Sequence, residues 1–207
     1  MRSARTEAFW QAFCRHEGLS HARYEATYFR TPPDIADRLL TMVCAGTMRA
    51  TAGPMPIFGE GREEPVPAAG DYAVLVDHQR RPRLIWRTTG VTIAPLSSVS
   101  DEFVWRSGQG TGEREDWLAR LNWSFTRMAR LYGFEMHADV ATMFETLEVV
   151  WPLDVARRIQ LVTPHLDRGI AMLHRLNEER RAAAGLEAVL ARIQTAVFAR
   201  SLRVSLS

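Results

Sequence analysis

Apolar positions recur at helical spacing in three separated stretches of the chain. The first spans residues 7–16, where Phe9, Trp10 and Phe13 share a side and Gly18 follows as a stop. In the second, Ile35, Leu39, Leu40 and Val43 recur after Thr31 as a cap, Pro32 and Pro33 fit the first turn, and Gly46 closes the helix. The third spans 113–132, with Trp117, Leu121, Phe125, Met128 and Tyr132 on one face and Gly133 beyond; such a stripe is core. Elsewhere the period falls to two. Residues 72–77, a polar turn at 78–82, then 83–89 and 91–94 read as a hairpin meander, and 144–151 as a closing strand stopped by Pro152. Residues 24–29 read as an irregular link, 100–106 as a short helix, and 53–70 as a long loop that is either a lid or disordered.

Strands interrupted and flanked by helices, without a regular crossover helix between any two, predict an α+β fold built on a small mixed barrel. The expected division is one domain over 1–152 and a helical C-terminal extension over 153–207. In that extension Thr163-Pro164 marks a helix start, and Leu166, Ile170, Leu173 and Leu176 form a stripe. After Gly185 the stripe resumes at Leu186, Val189, Leu190, Ile193 and Val197. Either the barrel or a second subunit must cover it, so a homodimer through residues 164–200 is one expectation.

Composition narrows the chemistry. All 26 basic residues are arginine, so lysine nucleophiles and Schiff bases are excluded. Residues 153–207 hold nine arginines against five acids, which leaves 17 against 19 in residues 1–152. The basic excess lies in the extension, and any nucleic-acid contact of the main domain must be local. Cys14 and Cys44 sit in apolar helical contexts and read as buried thiols. Neither a metal site nor a cofactor is expected. No apolar run approaches the roughly 18 residues of a membrane span, and the chain reads as cytoplasmic, without a membrane partner.

The order and spacing of several features resemble the ASCH superfamily, in its longer bacterial branch. They are Phe9-Trp10 with Phe13, Tyr24 and Phe29, Ala36-Asp37 with Leu39, Gly46 followed by Ala50-Thr51, and Pro67 with Gly70-Asp71-Tyr72. Further on come Arg87-Thr88-Thr89 with Val91, Phe103 before a glycine-rich loop, Trp117, and Phe144. The resemblance implies a PUA-like β-barrel with a cleft beside a Gly-x-Lys-x-x-Thr corner, and a role with RNA, nucleotides or modified nucleosides. Some relatives hydrolyse acetylated cytidine and others are linked to RNA cleavage. Here the corner reads Gly46-Thr47-Met48-Arg49-Ala50-Thr51, with Met48 at the lysine position. The branch's acidic loop reads Ser107-Gly108-Gln109-Gly110-Thr111. Of the family's three roles the resemblance leaves Thr51 alone, with Glu113 or Glu115 as a substitute acid only by a loop shift. The C-terminal helices resemble the connecting helices of LuxR-type regulators.

The candidate ligand-binding residues are Arg49, Thr51, Ser107 and Gln109. Arg49 either binds an anion in the cleft or points outward from a strand; Thr51 either lines the cleft or pairs with backbone. The 109–112 loop offers amides to a phosphate. Arg80, Arg81, Arg83 and Arg87 around Trp86 are either a base-stacking patch or a polar hairpin tip with a core tryptophan. With no titratable group expected at the corner, the reading is a non-catalytic module that binds RNA, a nucleotide or a modified nucleoside. The alternatives are a divergent ASCH hydrolase, acting as a nucleoside amidohydrolase or ribonuclease with a relocated base, and a structural or dimerisation protein.

Overall fold

The computed structural model describes residues 2–20, 22–59, 61 and 65–204. The chain forms two compact units, Met1–Leu166 and Asp167–Ser207. In the first, strands β1 (Tyr24–Thr27), β2 (Ala50–Pro54), β3 (Tyr72–Val76), β4 (Pro82–Pro95) and β5 (Ala141–Trp151) build one sheet in the order β1-β3-β4-β5-β2. β1 lies parallel to β3 and the other pairs are antiparallel. Helices α1 (Ala4–Glu17), α2 (Pro33–Ala45), α3 (Asp101–Ser107) and α4 (Arg114–Tyr132) flank it. The architecture is α+β, as the mixed periodicity predicts.

Local chemistry sets the helix ends. Ser3 and Thr6 form a capping box at the start of α1, each hydroxyl accepting the other's backbone N–H at 3.2 and 2.7 Å. At the end of α2, Gly46 takes φ 76°, and its N–H donates to the Val43 carbonyl at 3.0 Å. A Cβ at Gly46 would also meet Ile159 Cγ2 at 2.9 Å, so glycine is required both for conformation and for space. Thr31 does not cap α2. Pro32 occupies that position, and the Thr31 hydroxyl donates instead to the Pro32 carbonyl at 3.4 Å.

Three further expectations are corrected. Residues 24–27 are a strand, because Tyr24 and Ala26 alternate inward while the backbone pairs with Tyr72–Leu75. The meander's second and third strands are one strand, β4, which passes through Gly90 with register shifts at Ile85/Trp86 and Thr88/Gly90. The last helix, α5 (Leu153–Val204), begins directly after Pro152, and Pro164 lies inside it. Its opening residues belong to the first unit, where Ala156 and Ile159 are buried. The second unit is helical from Asp167 through Val204, with Met172, Leu173, Leu176, Leu186 and Val189 exposed. No helix among the described residues is long and apolar enough to cross a membrane.

The core lies on both faces of the sheet. Trp10 and Phe13 of α1 pack on Val74, Val76 and Ile85, while Leu39, Leu40 and Val43 of α2 pack with Met48, Leu84 and Leu147. The α4 stripe of Trp117, Leu121, Phe125 and Met128 covers Leu96, Val99 and Phe144. Each such side chain contributes about 1.5–3 kcal/mol when fully buried. The packing holds the strands against the two helices that frame the site.

Candidate functional site

Both edge strands of the sheet line one cleft. Tyr24, Glu25 and Thr27 of β1 and Thr51, Ala52 and Gly53 of β2 face the same space of ≈ 880 Å³, which requires the sheet to curl. The loop before α2 and helix α4 complete the walls, α4 contributing Leu121, Phe125 and Met128 of its buried stripe as well as Asp116, Arg120 and Trp123. Aromatic side chains recur in the lining, from Tyr28, Phe29, Phe58, Tyr72, Trp86, Trp123 and Phe125, and its charged groups are of both signs, Arg23, Arg30 and Arg120 with Glu25, Asp71, Asp116 and Glu145. Arg30 ties the two walls together, donating to the hydroxyls of Tyr28 at 3.1 Å and Tyr132 at 2.7 Å.

Glu145 is the group that sequence reasoning missed. It lines the cleft at 5 % exposure, and its Oε1 accepts the Thr88 hydroxyl at 2.6 Å and the Trp86 indole N–H at 3.2 Å. A carboxyl group this deep is tolerated only where donors face it. Glu145 on β5 is the register partner of Thr51 on β2, so the two side chains leave the sheet on the same face, with Cβ atoms about 4.5–5.5 Å apart. The expectation that the corner lacks a titratable group is therefore overturned. The acid comes from the neighbouring strand, not from the glycine-rich loop.

The four named candidates separate. Thr51 and Gln109 line the cleft. Arg49 is not among the lining residues; its backbone extends the ladder, with its N–H on the Arg106 carbonyl at 2.7 Å and its carbonyl accepting from Leu147. Ser107 is fully buried, donating to the Val104 carbonyl at 2.6 Å and accepting the Trp117 indole N–H at 2.8 Å. The corner and the loop nonetheless adjoin, since a Cβ on Gly108 would lie 2.3 Å from the Thr47 carbonyl oxygen. Met48, at the lysine position of the family signature, is 1 % exposed and contributes apolar surface.

The loop ahead of α4 is already occupied by a carboxylate. Asp116 Oδ2 accepts the Thr111 N–H at 2.9 Å and Arg120 Nε at 3.1 Å, the anion-binding role expected for an external phosphate. The Arg120 bond, then the Thr111 amide, hold the Asp116 carboxyl below its ordinary range. Three of the four hairpin arginines are neutralised as well, while the Arg80 guanidinium lies over the Tyr28 ring, 5.5 Å from its centroid. Asp77 takes Arg81 at 2.8 Å and Arg83 at 3.2 Å, Arg87 pairs with Glu148, and Trp86 is buried beneath them, so the polar-tip alternative describes this region.

Burial raises both thiols, Cys14 and Cys44, above their ordinary value, which leaves them protonated and poorly nucleophilic. Among the described residues no group of three or more His, Cys, Asp or Glu is placed to hold a metal ion.

The family model described as ASCH domain matches residues 25–151. A crystal structure of a protein from Enterococcus faecalis V583 superposes with a TM-score of 0.64 at 28 % identity, covering 70 % of this chain and 88 % of that one. The crystal structure of an ASCH domain from Lactobacillus crispatus JV V101 superposes with a TM-score of 0.63 at 20 % identity, covering 71 % and 94 %, a likeness of fold. No curated protein matches the chain.

Proposed function

The chain belongs to the ASCH domain family, and from that premise we propose that it binds a nucleoside or nucleotide, free or within RNA, in the cleft beside Thr51. The observation that carries this reading is Glu145, a buried carboxyl group lining a cleft in which aromatic side chains recur. Flat apolar walls suit a base, which every nucleotide presents as a π-face. A carboxylate accepts from the amino and imino N–H groups on base edges. Arg23 and Arg30 among the lining residues suit phosphate.

Calorimetric titration of the full chain with nucleoside 5′-monophosphates tests this. Saturable binding is expected, weakened about tenfold or more in Glu145→Gln, which removes a charge-assisted acceptor while keeping shape. Absence of binding to every monophosphate, or equal binding by the variant, overturns the reading.

A hydrolase is the second reading, favoured by the pairing of Thr51 with Glu145. A threonine hydroxyl needs a base to act as nucleophile, and Glu145 stands across the strand from it. Against it, Met48 brings no positive charge to the oxyanion that forms in acyl transfer. The expected result with acetylated cytidine and single-stranded RNA is no turnover. Turnover abolished by both Thr51→Ala and Glu145→Gln would establish the hydrolase instead.

A further inference from the structure

One face of α4 is left over when the cleft and the core have been described. Asp116, Arg120, Trp123, Arg127 and Arg130 succeed one another at three- and four-residue spacing, so they lie on one side of the helix, opposite the buried stripe of Trp117, Leu121, Phe125 and Met128. The side begins in the cleft, because Asp116, Arg120 and Trp123 line it. It then runs out onto the surface. Trp123 is 57 % exposed, whereas Trp117 of the same helix is buried. The fold does not require an aromatic ring at position 123.

The charges on this side are of one sign beyond Asp116. Arg120 is held by Asp116, while Arg127 and Arg130 are exposed and carry no ion pair among the described residues. Arg130 in the last turn also complements the helix dipole, but that accounts for neither Arg127 nor Trp123. The helical rise places Arg127 about 6 Å and Arg130 about 10 Å beyond Trp123 along the axis, within the span of the next phosphates of an extended strand. An aromatic platform followed by a line of arginines is the pairing that binds single-stranded nucleic acid without reading its sequence. A run of acidic residues alone would engage the arginines and leave the ring unused.

Resting on the reading that the cleft takes a nucleotide, we propose that α4 carries the continuation of that site: a single strand leaves the cleft over Trp123 and lays its backbone on Arg127 and Arg130. The ligand is then a polymer, with one nucleotide in the cleft and its neighbours on the helix.

The test compares nucleoside 5′-monophosphates with a random-sequence single-stranded RNA hexamer on the full chain, in wild type and in the double variant Arg127→Ala/Arg130→Ala. The hexamer is expected to bind at least tenfold more tightly than the monophosphates. The double variant is expected to bring its affinity down to theirs and to reduce the salt slope by roughly 1.4, at about 0.7 per phosphate contact for single strands. Monophosphate binding and the melting temperature are expected to be unchanged. A hexamer bound no more tightly than a monophosphate, or bound equally by the double variant, overturns the proposal while leaving the cleft reading in place. Hexamer binding that depends on Arg127 and Arg130, with no monophosphate binding, overturns the cleft reading and with it the continuation proposed here, leaving a strand-binding surface confined to the helix. Binding of neither overturns both and leaves this side of α4 to a protein partner.

Discussion

At the turn between β3 and β4, Arg80, Arg81, Arg83 and Arg87 surround Trp86; along α4, Arg120, Arg127 and Arg130 flank Trp123. The residue types are the same and most of their surroundings differ, although Arg120 is paired with Asp116 and Arg80 lies over the Tyr28 ring. In the hairpin, Asp77 is 5 % exposed and accepts from two guanidinium groups as well as from the backbone N–H groups of Gln79 and Arg81, while Trp86 turns its indole toward Glu145. On α4 the ring is exposed, and two of the arginines face solvent without an ion pair among the described residues. Local density of arginine and tryptophan therefore says little about binding. What separates the two regions is how much of the counter-charge the fold has already supplied.

The largest effect that would break this contrast is at Asp77. Replacing it with Asn removes the charge that holds Arg81 and Arg83, at an expected cost of about 2–3 kcal/mol in denaturant unfolding, with nucleotide binding unchanged. Reduced binding in that variant would make the hairpin part of the site. The pH dependence follows from the same group. Burial pushes the Asp77 carboxyl up, but bonds from the Arg81 backbone and from the Arg81 and Arg83 side chains outweigh it and hold it below its ordinary range. A lowered folded value means a stabilisation that is complete above the unfolded pKa, near about 3.9, and lost as pH falls through the folded value. Wild-type stability is thus expected to decline below about pH 4, and Asp77→Asn is expected to flatten that part of the acid limb.

Trp123→Ala comes next in size. Loss of one stacking platform is worth about 1–3 kcal/mol of nucleic-acid affinity, and an exposed position predicts a stability change within about 0.5 kcal/mol. A large drop in melting temperature without loss of binding would assign Trp123 to the fold. The smallest effect is expected for Arg87→Ala. Its ion pair with Glu148 is half exposed on both sides, so its removal is expected to cost less than about 1 kcal/mol and to leave binding intact.

The helices were legible because their signals are local. Gly18, Gly46 and Gly133 each sit in the left-handed conformation at a helix end, and the α4 stripe is buried as its spacing predicts. Features fixed by distant partners were not legible. β1 is four residues long and becomes a strand through its parallel pairing with β3. Thr163-Pro164 has the form of a helix start, yet the helix arrives from Leu153, and the Thr163 hydroxyl donates to the Ile159 carbonyl at 2.8 Å beside the position where Pro164 has no N–H.

The site divides in the same way. Thr51 and Gln109 could be singled out because motif elements surround them, whereas Glu145 belongs to no such motif, and its one trace is that period-two alternation along β5 sets it on the face of Met143, Leu147 and Val149. Its depth comes from β2 and β4 pairing on either side and from donors 57 and 59 residues away. Trp123 did leave a trace, as the aromatic residue of α4 that falls outside the apolar stripe.

The chain's six tryptophans allow the central claim to be tested in one spectrum. Their indole N–H resonances report separate places: Trp86 on the Glu145 carboxyl group, Trp123 in the cleft lining, Trp117 on Ser107 and Trp10 on the buried side of α1. Titration with nucleoside 5′-monophosphates is expected to shift the Trp86 and Trp123 signals together and saturably, with Trp10 and Trp117 left in place. Saturable binding that leaves both Trp86 and Trp123 unmoved would contradict a ligand site on the floor formed by Thr51 and Glu145.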